Sequence, residues 1–414
     1  MLISHRIALD PNDKQATYFA RACGTARFAY NWALGEWQRQ YEAHRNDPSL
    51  PRPSEAALRR QLNDIKVAQF PWMQEVTKNA PQQAIKNLGA AFKRFFAGDG
   101  KYPRFKKKGQ HDSFRADNGT DKNHLHAVEI KGQKIKLSVL GWVRMREPLR
   151  FNGNVKSAVV SRTADRWFVS LTVEIEHLTP VRENQAAGGV DLGVSSLATM
   201  SDGSAVIGPK ALRSNLARLK RLSRSLSRKA KGSANRRKAK ARIARLHARI
   251  GNIRKDALHK LTTGLVERFA VIGIEDLNVR GMMANDRLAR SIADMGFHGF
   301  RRQLEYKAVM RGSRIVVAGR WHPSSKTCSA CGVVVDALPL AVREWECVAC
   351  GVHHDRDVNA AKNLMKIAMS STVTACGEES SGLGLPAASP AAVMAKLASV
   401  KQESSTKLPM RSFG

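Results

Sequence analysis

Acidic residues are the scarce component of this 414-residue sequence: 35 Asp and Glu stand against 69 Lys and Arg, a net charge of +34. Self-repulsion on that scale works against a compact state unless a polyanion neutralises it, so nucleic acid is the expected partner. Long apolar runs are absent, and no signal-peptide core or lipidation motif occurs. Those absences set aside an anionic membrane surface as the alternative partner. Cysteine is sparse: of six, only Cys23 and Cys376 stand outside a paired spacing, as free thiols. That usage excludes a disulfide framework and suits a reducing cytoplasm. At 43% hydrophobic, the chain can still bury a large core and more than one domain.

The remaining four cysteines are ordered. Cys328-x2-Cys331 is followed, after fifteen residues, by Cys347-x2-Cys350. Four thiolates at this spacing surround one tetrahedral Zn2+, each pair supplying two ligands from a tight turn. Gly332 and Gly351 follow the pairs and let the backbone bend round the metal. A site closed by four thiolates has no open position for substrate, so the zinc is structural.

Along the chain, residues 10–96 read as helical, with Asp10-Pro11 as a start signal and Pro71 and Pro81 punctuating further helices. Phe92-Lys-Arg-Phe-Phe96 and Lys101-Tyr-Pro-Arg-Phe-Lys-Lys-Lys108 interleave cations with aromatics. The phenylalanines are assigned to core, and Lys106, Lys107 and Lys108 to nucleic-acid contact. From about 116 to 180 the period becomes two, with short strands that include Trp167–Ile175, so a small barrel or sheet is expected. Residues 182–187 read as a linker.

An α/β unit then opens at Gly188 and is interrupted by two long helices broken near Gly232. Leu212, Leu216, Leu219, Leu222 and Leu226 in the first, and Ile243, Leu246, Ile250 and Ile253 in the second, form a narrow apolar seam. Lys210 to Lys260 holds 19 Lys and Arg and one acid, Asp256. One-sided charge favours a nucleic-acid track, for which Arg236, Arg237 and Lys238 are the chosen contacts. Strands are expected at 269–274 and 314–318 with a helix at 296–310 between them, and residues 369–414 read as a disordered tail.

Three acids stand out by position. Asp191 interrupts an apolar strand, Glu275 ends the run Val271-Ile-Gly-Ile274, and Asp357 precedes a helix beginning near Val358. A carboxylate at the end of a buried strand costs desolvation energy unless a cation neutralises it. Three converging acids would hold two Mg2+ ions, activating water and stabilising the leaving oxygen in phosphodiester hydrolysis. Strand alternation puts Glu275 and Asp276 on opposite faces, so only one of them enters the site.

Asp191 in GVDLG, Glu275 in GIEDL, the paired cysteines and Asp355-Arg-Asp-Val-Asn-Ala-Ala361 together resemble the TnpB (OrfB) family of insertion-sequence proteins, relatives of the compact type V CRISPR effectors. Ala26-Arg-Phe-Ala-Tyr-Asn-Trp-Ala-Leu34 and Tyr102-Pro-Arg-Phe-Lys106 are similar to that family's helical region, and the likeness spans about residues 1–368. The resemblance implies a multidomain α+β chain. Its parts would be a wedge β-barrel (1–9 and 116–183), a helical recognition domain (10–115), a RuvC/RNase H-like nuclease domain (184–325 and 353–368) with the basic hairpin 210–262, and a zinc ribbon (326–352). It implies Asp191, Glu275 and Asp357 as catalytic, Mg2+-binding acids, with Asp357 preferred to Asp355 because the third acid abuts the Asn-Ala segment. It also implies a guide RNA from the transposon end and a double-stranded target carrying an adjacent motif, with one protein per RNA in a prokaryotic, nucleoid-associated setting. Lys78 and Gln82, at the start of the helix near Pro81, would read that motif. A strand-joining transposase without RNA and a non-catalytic RNA-guided regulator are the alternatives.

Overall fold

The computed structural model describes residues 1–119, 127–176, 180 and 182–377. Alternating burial of Ile3, His5, Ile7 and Leu9 makes β1 (Leu2–Asp10) a strand, and it lies inside a seven-stranded antiparallel sheet. Its companions are β2 (Ser113–Asp117), β3 (Val128–Lys131), β4 (Lys134–Leu137), β5 (Gly141–Met145), β6 (Asn154–Thr163) and β7 (Arg166–Glu174). The order is β2-β6-β7-β1-β5-β4-β3. Among the described residues no ladder joins the end strands β2 and β3.

Two helices, α1 (Asp13–Asn46) and α3 (Asn79–Phe96), pack on this sheet, and α2 (Glu55–Gln69) packs on them. Asn12 caps α1 through the Gln15 N–H at 2.9 Å, and the Gln15 side chain returns the bond. Asp10 is therefore not the cap; it ends β1 and pairs with Arg146 at 2.8 Å. Pro81 does not open α3 either, but lies buried in its first turn behind Asn79. Phe19 sits between Phe114 and Trp167, and Trp37 stacks on Phe92 with centroids 4.1 Å apart, so aromatics join helices to one another and to the sheet. Phe96 departs from the expected core role and is exposed.

The second sheet has the order β10-β9-β8-β11-β12. It is built from β8 (Ala187–Asp191), β9 (Ala198–Met200), β10 (Ala205–Val206), β11 (Val271–Glu275) and β12 (Arg314–Ala318). Strands β8, β11 and β12 are parallel, and the inner two, β8 and β11, are buried on both faces while β12 forms the edge. Val190, Ile272 and Ile274 meet α5 (Ala234–Arg268) and α8 (Phe297–Arg311), while Gly189, Val271 and Gly273 turn to α9 (Arg356–Gly377). Residues 182–187 are no free linker, because Arg182 donates to Ser313 Oγ at 2.6 Å and to the Glu267 carbonyl at 3.0 Å.

The basic hairpin is α4 (Ala211–Ser227) packed on α5, with Ala211, Leu246 and Ile250 at its centre. After α6 (Val279–Ala284), Asp294 of α7 (Ala289–Met295) accepts from the Leu212 and Arg213 N–H groups at 2.9 and 3.0 Å, holding the start of α4. A hairpin of β13 (Glu344–Glu346) and β14 (His353–Asp355) completes the ribbon. The helix α9 runs on to Gly377, past the expected tail start at 369, and the rest of that expectation lies outside the described residues. No helix among the described residues is long and apolar enough to cross a membrane.

Candidate active site and metal centre

Register explains how two of the acids meet. Ile274 of β11 faces Val190 of β8 in parallel pairing, so Glu275 and Asp191 are neighbours at the carboxyl ends of adjacent strands. By alternation each shares the face of the glycine two residues earlier, the face that α9 covers. Asp357 lies in the first turn of α9, which brings the third carboxylate to the same end. Burial, reinforced by the Glu275 and Asp357 charges and opposed by Arg356 and Arg343, pushes Asp191 up to about 8. Ser324 donates to Glu275 Oε1, and Arg343 pairs with Asp357 at 3.2 Å. Asp276 faces the other way, held by Arg301 at 2.8 Å and Arg320 at 2.6 Å. A buried Asp191 crowded by the Glu275 and Asp357 carboxylates fits a divalent cation, which would remove the repulsion.

Several residues of the segment 355–363 have separate tasks. Asp355 caps α9, accepting from the Val358 N–H at 2.8 Å, and so is occupied away from the acid cluster. The Arg356 guanidinium donates to the Pro339 carbonyl at 2.7 Å in the loop between the cysteine pairs. Asn359 accepts from the Ser329 N–H and donates to the Thr327 carbonyl, both at 2.8 Å. Asn363 donates to the Ser324 and Thr327 carbonyls at 2.8 and 2.6 Å. The Ala361 carbonyl crosses Gly189 so closely that a Cβ there would lie 1.8 Å from its oxygen, which is why that strand position carries no side chain. Glu275, Ser324 and α9 are thereby joined through the stretch that leads into the first cysteine pair.

The Sγ atoms of Cys328, Cys331, Cys347 and Cys350 lie within 4.8 Å of one another, with Cys328–Cys350 and Cys331–Cys347 each at 3.6 Å. Tetrahedral Zn–S bonds of about 2.3 Å would separate the sulfurs by about 3.8 Å, so the set fits one metal ion. Gly332 and Gly351 have φ of 83° and 69°, the left-handed turns each pair needs. Trp345 packs on Cys328 and Cys347. His354, which the spacing of cysteines does not reveal, lies 3.0 Å from Cys328 Sγ through Nε2, placed to donate to a thiolate. Cys23 is buried far along the chain in the helical core, and burial pushes its thiol up to about 12. Cys376 side-chain placement lies outside the described residues.

The expected nucleic-acid contacts are scattered and differ in availability. Lys78 is exposed at the N-cap of α3, with Gln82 half-buried one turn on. Lys107 and Lys108 are exposed, while the Lys106 ammonium lies 4.1 Å from the centre of the Tyr30 ring. Arg236 is engaged within the hairpin itself. Its guanidinium donates to the Leu226 and Lys229 carbonyls at 2.9 and 2.8 Å, closing the C-terminal end of α4. Arg237 donates to the Gly232 carbonyl at 2.8 Å, and Lys238 is exposed. Arg236→Gln should therefore destabilise the hairpin by about 1–3 kcal/mol, the worth of hydrogen bonds from a charged donor. Lys238→Gln should leave melting unchanged and flatten the salt dependence of nucleic-acid binding by about 0.7–0.9 log-log units. Equal melting and equal salt slopes for the two variants would overturn this division.

The chain is similar to known families and proteins. Family descriptions cover residues 1–46 (a helix-turn-helix domain), 170–286 (OrfB, probable transposase) and 297–364 (a Cas12f1-like TNB domain). In this chain residues 1–46 form β1 and the single helix α1 rather than two helices about a turn. A Streptomyces pristinaespiralis protein named as an RNA-guided DNA endonuclease is 39% identical over 372 residues, spanning 89% of each chain. An Escherichia coli (strain K12) protein so named is 34% identical over 392 residues, spanning 91% of this chain and 94% of that one. The fold is similar to that of Cas12f1 in a cryo-EM structure of its complex with sgRNA and target DNA, with TM-score 0.54 and 15% identity over 86% of this chain and 83% of that one.

Proposed function

Because this chain belongs to the OrfB (TnpB) family of insertion-sequence proteins, we propose that it is an RNA-guided DNA endonuclease whose cutting site is the Asp191, Glu275 and Asp357 cluster. The observation that carries this reading is the meeting of three carboxylates at the carboxyl ends of two parallel strands in a chain of net charge +34. The three acids would hold Mg2+, which when bound lowers the pKa of water and offsets charge developing on a phosphodiester. Asp191 and Glu275 are presented by rigid strands and Asp357 by a helix, so their separation is fixed before substrate arrives. Ser324 fixes one oxygen of Glu275, and Arg343 neutralises Asp357 until a cation replaces it. A guide RNA would occupy the basic surfaces, including Lys107, Lys108 and Lys238, and pair with one target strand. Lys78 and Gln82 would read a short motif in the adjacent duplex, since both can hydrogen-bond base edges.

The test is to sequence the RNA that co-purifies and to challenge the complex, with Mg2+, with a randomised-motif plasmid library matched to its guide. Cut plasmids sharing one motif are the expected result. No co-purifying RNA would favour a strand-joining transposase, and RNA without cutting would favour a binding regulator.

The four-thiolate cluster would hold structural Zn2+, and its role would be to place α9. Cys347→Ser with Cys350→Ser should take zinc from about one per chain to near none and reduce cleavage, although no cysteine takes part in the reaction. Full zinc by metal analysis in that double variant would sink the assignment.

A further inference from the structure

The loop that leaves β12 carries an indole into solvent beside the acids. Trp321 is 90% exposed, although tryptophan is a side chain that folded chains cover on average. One exposed apolar side chain needs no explanation by itself. The surroundings of this one supply the argument. Its loop is fixed at both ends: the His322 N–H donates to the Gly319 carbonyl at 3.0 Å, and Ser324, bonded to Glu275, is buried. Arg320 and His322, on either side of the indole, line the cleft that contains Glu275.

A second groove, of about 430 Å3, shares Glu275 and runs between α6 and α8. Arg280 and Arg302 line it and have no carboxylate within 4.0 Å among the described residues. Arg301 and Arg320 border it as well, both anchored on Asp276. Uncompensated cations in a concave surface call for an anion, and a free indole calls for a flat apolar face. Single-stranded nucleic acid supplies both, whereas a duplex keeps its base faces stacked on each other.

We propose that Trp321 is a base-stacking platform for the DNA strand being cut: an unpaired base lies on the indole while Arg280 and Arg302 take nearby phosphates. The proposal rests on the endonuclease reading above. It assigns the strand's seat to a loop outside the acid cluster, with Asp276 as the residue that positions Arg320 and Arg301.

The experiment uses the full chain with its co-purified RNA and a matched target in which single abasic sites are walked along the strand near the cut. At one position the abasic site should slow single-turnover cleavage by wild type about tenfold, the order of one lost base–aromatic stack. Trp321→Ala should slow cleavage of the intact target by a similar factor, and at that position the two losses should not multiply. Trp321→Phe should recover most of the rate, and Trp321→Ala should still bind target in a gel shift, which a misfolded chain would not. Wild-type rates for Trp321→Ala, or losses that multiply at every position, would overturn the proposal. If wild type itself cuts nothing, the endonuclease reading fails first, and a fluorescence titration with oligothymidylate decides this point separately. Quenching seen in wild type and lost in Trp321→Phe is the expected result; equal quenching in both would overturn it.

Discussion

Asp191→Asn should abolish DNA cleavage and at the same time raise the melting temperature of the metal-free protein. The first effect should reach about a thousandfold or more, because a lost metal-binding carboxylate forfeits several kcal/mol of charge stabilisation. The second follows from burial and from the neighbouring Glu275 and Asp357 charges, which keep the Asp191 proton in place up to about 8. An unfolded aspartate releases its proton near about 3.9, so between the two values the native state holds the extra proton. Stability conferred by the neutral carboxyl is therefore present at low pH and is lost as pH rises towards about 8. Asparagine does not titrate. The difference in melting temperature between variant and wild type, measured in a chelator, should vanish near about pH 4 and grow through neutrality. Mg2+ should narrow it by stabilising wild type alone. A difference that does not change with pH would contradict the crowding of carboxylates described above.

Gly189→Ala should be among the most damaging single-methyl additions in the chain. A Cβ there would lie 1.8 Å from the Ala361 carbonyl oxygen and 2.5 Å from the Met365 nitrogen. At Gly273 it would lie 2.1 Å from the Leu364 oxygen. These obstacles are helix backbone, which cannot rotate aside as a side chain can, so α9 must leave the sheet. Overpacking usually costs about 1–3 kcal/mol, and a backbone collision belongs at or above the top of that range. Since Asp357 rides on α9, cleavage should fall with stability, while zinc content stays near one per chain because the thiols hold the ribbon independently. Gly251→Ala is the matched control: nothing lies within 4 Å of its Cβ position inside α5, and the substitution should stabilise by about 0.5–1 kcal/mol. Denaturant melts of Gly189→Ala and Gly251→Ala, with a cleavage assay and metal analysis of the first, check these outcomes. A wild-type melt for Gly189→Ala would mean that α9 is not seated as described.

The sequence revealed whatever depends on short-range pattern. Apolar runs ending in a carboxylate mark β8 and β11, and the leucine and isoleucine steps mark α4 and α5. The two cysteine pairs mark their own cluster because a metal-binding turn is local chemistry. Misreadings arose where a residue answers to a distant partner. Arg236 looks like any other cation of the basic run, yet its partners are carbonyls on the preceding helix. The stretch 182–187 has a linker's composition, but Arg182 reaches Ser313 across 131 positions. At the N-terminus the failure was one of choosing among adjacent caps, since Asp10 and Asn12 both carry capping side chains and only the end of β1 decides between them. Gly189 and Gly273 gave no chemical signal at all; their smallness has meaning only once α9 is laid across them.

The order of the three acids along the chain has a consequence for synthesis. Asp191 and Glu275 can be set side by side once β8 and β11 have left the ribosome, but α9 emerges only after the ribbon. Synthesis at about 5–20 residues per second leaves several seconds between Glu275 and Asp357. On the proposed reading, the growing chain would display the basic hairpin to RNA during that interval while its cutting site still lacked an acid. RNA loading would then precede cutting competence. Broken messages that stop short of α9 would likewise yield chains able to hold nucleic acid but unable to nick the chromosome.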